Sequence, residues 1–338
     1  MWSGLRLILR LALIGAAVGA VYSYMQRDDV VPLRGALTGG TIAGVLAMME
    51  AFVFAEPFGG RFRRAPFLVN VVVKTAVYLC VILFALKLGD WALPPASGHS
   101  GILREDVLFS LAASFVFAFL LDVNVLLGQN VLLNFITGRY YRPTLEDRVF
   151  LFIDMEGSTG LAERLGPLAF HRLVSRFIAD LTEPIVAARG EIHSYVGDEL
   201  IATWPLARGV AEGRCVAACF GALDRLAHAA PDYRREFGAA VAFRAGLHCG
   251  PVVTGEMGTA KKEIVFLGDT VNTTARIQDV CRQTGDRILA SADLVARVTL
   301  PPGVTKRSLG DLRLRGKGVD LGLYALERAD GRAASTPR

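Results

Sequence analysis

The sequence predicts a chain in two parts: an α-helical transmembrane region of four helices, then an α+β domain of ferredoxin-like type. Three observations carry this expectation. The 338 residues are 52% hydrophobic and 20% charged, but the charge is unevenly divided. Residues 1–140 hold 19 Asp, Glu, Lys and Arg and residues 141–338 hold 50, about 14% against 25%, and the first figure is too low for an ordinary soluble surface. Four apolar runs, each near or above the roughly 20 residues that cross a hydrocarbon core, fill the charge-poor part. In the charge-rich part, strand and helix patterns follow one another as strand, helix, strand, strand, helix, strand. This division excludes disordered, collagen-like and small disulfide-stapled classes and argues against a wholly soluble enzyme.

The runs are residues 5–24, 35–58, 66–88 and 107–133. The first lacks an Ala-x-Ala-like end followed by a polar mature sequence, and three more runs follow it, so it reads as a span and not as a cleaved signal. Arginine placement sets the orientation. Arg61, Arg63 and Arg64 lie between runs two and three, and Arg139 and Arg142 follow run four. The other two loops, with Arg27, Asp28, Asp29 and Arg34, and with Asp90, Arg104, Glu105 and Asp106, have no net positive charge. The expected topology is multi-pass in the plasma (inner) membrane, in contact with lipid, with the N-terminus and the C-terminal domain cytoplasmic. Glu50, Glu56, Lys74, Asp122 and Asn124 interrupt the runs. They form either a ligand, ion or lipid sensor, or a structural pair such as Glu50 with Lys74 and snorkelling at the run ends for Glu56 and Asp122. No histidine lies in any run, which argues against a bis-histidine haem domain.

The domain layout expected is 1–136 for the membrane region, 137–147 for a helical linker, 148–328 for the cytosolic domain and 329–338 for a disordered tail. Run four is expected to continue as a helix through residues 129–141, either pairing with a second copy through Val131, Leu132, Phe135 and Ile136 or serving as a plain spacer. Residues 148–154 (RVFLFID) read as a buried strand. Residues 155–159 (MEGST) turn into a helix, with Ser158 or Thr159 as cap, and Leu161, Leu165, Leu168, Leu173 and Phe177 mark its apolar face. Residues 191–204 form a hairpin about Gly197-Asp198. A helix follows over 210–229, a strand pair (FRAGLHCG and PVVTG) over 240–255, a third helix over 270–281 and short strands over 308–326.

Charge and cysteines bound the function less. The net charge of +5 divides into +3 and +2 with no dense basic stripe, so no nucleic-acid partner is expected. Of the five cysteines, Cys80, Cys215, Cys219, Cys249 and Cys281, the pair Cys215 and Cys219 stands one helical turn apart with no histidine beside it and reads as buried and reduced. Two carboxylates carry more. Asp154 ends a buried strand at a Gly-containing turn, and Asp198 sits on a Gly-Asp hairpin turn. Each alone is compatible with plain turn chemistry. Brought together at neighbouring strand ends, they suit a hard cation such as Mg²⁺ that can bridge nucleotide phosphates. The helix opened after Asp154 offers free N–H groups to a phosphate.

FIDMEGST, YVGDELIATW, FRAGLHCGPVVTGEMG and FLGDTVNTTARI, in this order and spacing, resemble the class III adenylate/guanylate cyclase catalytic domain over roughly residues 148–326. The resemblance implies an enzyme, a phosphorus-oxygen lyase that makes 3′,5′-cyclic nucleotide and pyrophosphate for second-messenger signalling. It implies two Mg²⁺ or Mn²⁺ ions per site on Asp154, Asp198 and the backbone carbonyl of Met155. It gives the amides of Gly157, Ser158 and Thr159 to the phosphates, with Arg244 and, near the C-terminus, Arg315 or the nearby Lys317. Asn272 and Arg276 match the transition-state pair and share a helix face four residues apart. In the family that pair acts on the partner's site, which implies a head-to-tail homodimer. The base-reading positions depart from the pattern: Ser194 and Val265 replace the lysine and aspartate usual in adenylate cyclases, and the glutamate and cysteine of guanylate cyclases are also absent. ATP, the commoner substrate of bacterial members, is the expectation, with GTP as the alternative and an inactive sensor or scaffold dimer as a second. No P-loop or GG[DE]EF-like signature occurs.

Overall fold

The structure, a computed structural model, describes residues 2–25, 32–49, 67–92, 104–127, 134–135, 137–313 and 320–329. It divides into two compact units, Met1–Val123 and Asn124–Arg338.

In the first unit, helices form at the four apolar runs: α1 (Trp2–Met25), α2 (Pro32–Met49), α3 (Phe67–Ala92) and α4 (Arg104–Leu127). α1 and α2 meet backbone to backbone. Gly15 and Gly19 are one turn apart on α1 and face Gly39 and Gly35 of α2. A Cβ at Gly19 would stand 2.0 Å from the Gly35 carbonyl oxygen, and one at Gly15 2.5 Å from that of Gly39. Small residues at four-residue spacing are how helices approach closely where no water drives them together. α2 and α3 share a cluster of Ile42, Leu46, Tyr78, Ile82 and Ala85. Tyr22 of α1 stacks on Phe109 of α4 at 3.9 Å and donates its hydroxyl to Asp106 at 3.1 Å. Large apolar side chains point outward, among them Leu9, Leu13, Val21, Phe84, Phe115 and Phe119.

Four crossings were expected. Among the described residues one helix is long and apolar enough to cross a membrane, α1 over Ile8–Met25, while α2 supplies a shorter apolar stretch, Leu33–Met49. Glu50 and Glu56, and with Glu50 the expected Glu50–Lys74 pair, lie outside the described residues. So do the tail from residue 330 onward and most of the apolar linker face.

In the second unit the first strand, β1 (Thr144–Met155), starts four residues before the expected 148. Residues 144–147 find partners on β4, from Thr144 opposite Thr254 to Asp147 opposite Pro251. The linker expected to be helical through 147 is therefore turn and then strand from residue 138 onward. β1 is apolar without alternation because helices cover both of its faces. Val149, Leu151, Ile153 and Met155 enter one core with helical residues Leu173, Phe177, Leu181 and Val216. Phe150 and Phe152 pack on the other side with Ile201, Val252, Phe266, Val271 and Ala275. Arg148 is buried within this run but fully paired, donating to Thr203, Glu146 and Glu191.

The single helix expected after β1 is two, α5 (Ser158–Leu165) and α6 (Pro167–Ala187). Gly166 adopts φ 73° between them and Pro167 opens the second, a break that suits both residue types. Leu168, expected on the apolar face, is 81% exposed. The hairpin forms as expected from β2 (Glu191–Val196) and β3 (Glu199–Pro205), with Gly197 at φ 66°. A one-turn helix, α7 (Leu206–Val210), leads to α8 (Arg214–Phe237), which extends beyond the expected 229. The expected strand pair over 240–255 is one strand, β4 (Phe243–Met257), because β1 pairs along it without a break and Gly250-Pro251 makes no turn. β5 (Glu263–Leu267), α9 (Asp269–Thr284), β6 (Ile288–Ser291), α10 (Ala292–Val295), β7 (Val304–Leu312) and β8 (Leu321–Arg328) complete the unit.

The sheet order is β2-β3-β1-β4-β6-β8-β7, with β5 paired to β4. Its first four strands, with α6 and α8 as crossovers, form the ferredoxin-like core. Asp180 of α6 pins α8 by accepting from Tyr233 at 2.8 Å and Arg225 at 2.9 Å. On the opposite face α9 lies against β4 where that strand carries glycine. A Cβ at Gly246 would stand 2.6 Å from the backbone nitrogen of Gln278, and one at Gly250 2.7 Å from Thr270 Oγ1. These two bare positions set how closely α9 sits on the sheet.

Candidate active site

β1 delivers Asp154 at its C-terminal end. Because Asp154 pairs with Glu199 of β3 and Arg244 of β4, three charged side chains line one row on the α9 face of the sheet. The β2–β3 turn adds Asp198 beside Glu199. The two aspartates singled out in the sequence thus come together at one end of the sheet.

The electrostatics of this end are short of positive charge. Asp154 Oδ2 accepts from Arg282 Nη2 of α9 at 2.7 Å. Asp198 Oδ2 is buried and has no hydrogen-bond partner among the described residues. Burial, then the negative charges of Asp154, Asp279 and Asp198, raise the Glu199 carboxyl to about 7, which Arg282 only partly offsets. An orphaned carboxylate oxygen among crowded carboxylates fits a divalent cation. Among the described residues no three His, Cys, Asp or Glu side chains cluster to hold an ion by themselves, so the remaining oxygens must come from backbone, water or a phosphate. Met155 buries its side chain in the core at 2% exposure and has only its backbone to offer.

Gly157, in the left-handed region at φ 70°, occupies the cap of α5. Neither Ser158 nor Thr159 caps the helix as expected, because Gly157 takes that position and no side chain satisfies the first-turn N–H groups. Among the described residues no side chain competes for those groups, which can take an anion. Arg244 donates to Glu156 at 2.5 Å, so a phosphate would have to draw it away. Ser194 lies half-buried on β2 beside a bulge, and Val265 half-buried on β5 opposite Gly255. Their neighbours His193 and Phe266 touch edge to face at 4.8 Å. Alternation along β5 turns Val265 away from that contact, whereas the bulge at His193 leaves Ser194 opposite Ile201, on the same face of the sheet as Phe266.

Asn272 is exposed and Arg276 half-buried on α9. Neither makes a side-chain hydrogen bond or ion pair with a described residue. The C-terminal turn of the same helix touches Asp154 through Arg282. A helix rises about 1.5 Å per residue, which puts Arg276 about 9 Å and Asn272 about 15 Å back along the axis from there. Among the described residues no hydrogen bond or ion pair joins this pair to the carboxylates of the same chain. Arg315 and Lys317 lie outside the described residues.

Sequence reading missed Glu199, Arg282, Gly246 and Gly250. Glu199 adjoins Asp198 and was visible as an extra acid, whereas Arg282 meets Asp154 across 128 residues of chain.

An α+β sheet with paired carboxylates at a strand end, an uncapped helix start beside them and an Asn/Arg pair on the covering helix defines a nucleotide-handling catalytic domain. Residues 141–328 match the model of the adenylate and guanylate cyclase catalytic domain. Adenylate cyclase 2 of Rhizobium meliloti is 34% identical over 94% of this chain and 90% of its own length. An adenylate cyclase of Anabaena cylindrica is 25% identical over 52% of this chain and 36% of its own. The solved structure of a bacterial light-regulated adenylyl cyclase superposes with a TM-score of 0.57 at 18% identity, covering 68% of this chain and 66% of that one, and shares the fold. The chain belongs to the adenylate and guanylate cyclase catalytic domain family, and it is an enzyme of that class.

Proposed function

We propose that this chain is a membrane-anchored adenylate cyclase that converts ATP to 3′,5′-cyclic AMP and pyrophosphate at sites shared between two copies. The observation that carries the reading is the division of the site. The carboxylates gather at one end of the sheet, and Asn272 and Arg276 stand unengaged on the helix above. A second copy in head-to-tail arrangement brings the Asn/Arg pair of one chain to the carboxylates of the other and yields two equivalent sites.

Asp154, Asp198 and the backbone carbonyl of Met155 would hold Mg²⁺ or Mn²⁺, two ions per site. Bound there, the ions supply charge neutralisation at the phosphates and a more acidic ribose 3′-hydroxyl. The first-turn N–H groups at Gly157, Ser158 and Thr159 bind phosphate oxygens. Arg244, exchanged from Glu156, adds a cation to the triphosphate, joined by Arg315 or Lys317. Asn272 orients the ribose so that its 3′-oxygen faces the α-phosphorus in line with the leaving pyrophosphate. Arg276 neutralises the charge that grows on the α-phosphate as that bond forms.

ATP as substrate is supported by the long relative named an adenylate cyclase, which spans nearly the whole chain. Ser194 and Val265 favour a second reading, a site permissive enough to take GTP, because they offer few hydrogen bonds with which to reject the wrong base. We also read residues 1–136 as the membrane region, the catalytic domain as running to residue 328 from the start of β1 at Thr144, and the plasma (inner) membrane as its location, with the N-terminus and catalytic domain cytoplasmic. The outward apolar side chains of the first unit support lipid contact. The test is turnover of ATP and of GTP by the purified full chain with Mn²⁺ or Mg²⁺. Cyclic AMP from ATP is expected. Cyclic GMP alone overturns the base assignment, and turnover of neither favours the inactive scaffold.

A further inference from the structure

We propose that Arg282 is a built-in counter-ion that holds Asp154 when no divalent cation is bound there and must release it when one binds, so that Arg282 sets the metal concentration the enzyme needs. The proposal rests on the reading of Asp154 and Asp198 as a cation-holding pair.

Four observations carry it. Arg282 donates to Asp154 Oδ2 at 2.7 Å, so the guanidinium occupies one of the two oxygens a metal would use. The partners differ in freedom: Asp154 is 13% exposed on a central strand, whereas Arg282 is 57% exposed in the last turn of α9. The guanidinium can swing into water at small cost while the carboxylate stays in place. Asp279, three residues earlier on α9, and Asp198 also act on Arg282, so its charge serves the whole acidic end of the sheet. Finally, the orphaned oxygen of Asp198 shows that Arg282 does not satisfy both aspartates. With Arg244 held by Glu156, Arg282 leaves the site with room for more positive charge.

A cation entering beside Asp154 must break the ion pair and stand near a displaced positive charge. Both effects weaken its binding, together by roughly three- to tenfold for a partly exposed pair. Removing the charge should tighten metal binding by that factor, and keeping it as lysine should not.

The measurement is Mn²⁺ binding to the full chain in detergent without nucleotide, followed by the electron paramagnetic resonance signal of free Mn²⁺. Arg282→Gln is expected to bind three- to tenfold more tightly than the unsubstituted protein, and Arg282→Lys to stay within about twofold. The Mg²⁺ concentration for half-maximal turnover should fall in parallel for Arg282→Gln. Unchanged or weaker Mn²⁺ binding by a folded Arg282→Gln protein overturns the proposal. Asp198→Asn separates the two layers. If it leaves Mn²⁺ binding unchanged, the cation reading itself fails and the Arg282 role fails with it. If it weakens binding while Arg282→Gln does not strengthen it, only the Arg282 role fails.

Discussion

Replacing Gly246 with alanine tests how far catalysis depends on the seating of α9. Gly246 is the fourth residue of β4, between Phe152 and Leu289 on the neighbouring strands, with α9 packed against it. An added Cβ would stand 2.6 Å from the Gln278 nitrogen and 2.9 Å from the Thr274 oxygen, both backbone atoms that no rotamer change can move. Ordinary contact begins near 3.4 Å, so the helix must withdraw by about 0.8 Å. Overpacking of this kind costs about 1–3 kcal/mol. The larger effect falls on chemistry, because α9 carries Asn272, Arg276 and Arg282 together, and displacement of reacting groups by about 1 Å can cost on the order of 100-fold. Chemical denaturation and nucleotide turnover should be read on the same preparation. Gly190→Ala is the matched control: its Cβ would meet Ile185 and Trp204 at 2.6 Å, away from α9. The expected result is similar destabilisation in both variants, with turnover lost about 100-fold in Gly246→Ala alone. Equal turnover loss in the two variants would refute the reasoning.

Two further outcomes follow from packing. Tyr233→Phe removes the hydroxyl that donates to buried Asp180. It should cost about 1–2 kcal/mol and lower Tm by a few degrees with kcat unchanged, because Arg225 still holds Asp180; a loss of activity at unchanged stability would contradict this. In the first unit, Gly19→Ala should destabilise the α1–α2 pair by about 1–3 kcal/mol in detergent unfolding, because its Cβ would strike backbone. Gly40→Ala, whose Cβ would meet the Ala16 methyl at 3.3 Å, should cost less than half as much, and equal costs would count against the close backbone approach.

Features that depend on neighbours in sequence were legible before the fold was known. Asp154 was visible as the end of an apolar burst and Asp198 as a Gly-Asp turn, while the Asn272/Arg276 pair was marked by the resemblance of VNTTAR to the family's motif. Features that depend on distant partners were not. Gly250-Pro251 looks like a turn and is strand, because β1 supplies partners on either side of it. Arg282 looks like a solvated helix-end charge and instead reaches Asp154. Gly166-Pro167 did carry a local signal for a helix break, outweighed by the apolar period running across it. The glycine spacing of α1 and α2 was likewise present, hidden inside runs read for hydrophobicity alone.

The central claim is that each site takes its carboxylates from one chain and its Asn/Arg pair from another. Mixing Asp154→Ala with Arg276→Ala protein tests it most directly, since each variant alone lacks one half of every site. Random pairing should restore about a quarter of full cyclic AMP formation, because half of the dimers are mixed and each mixed dimer keeps one intact site. Two inactive variants that stay inactive when mixed, although shown to associate, would contradict the shared site.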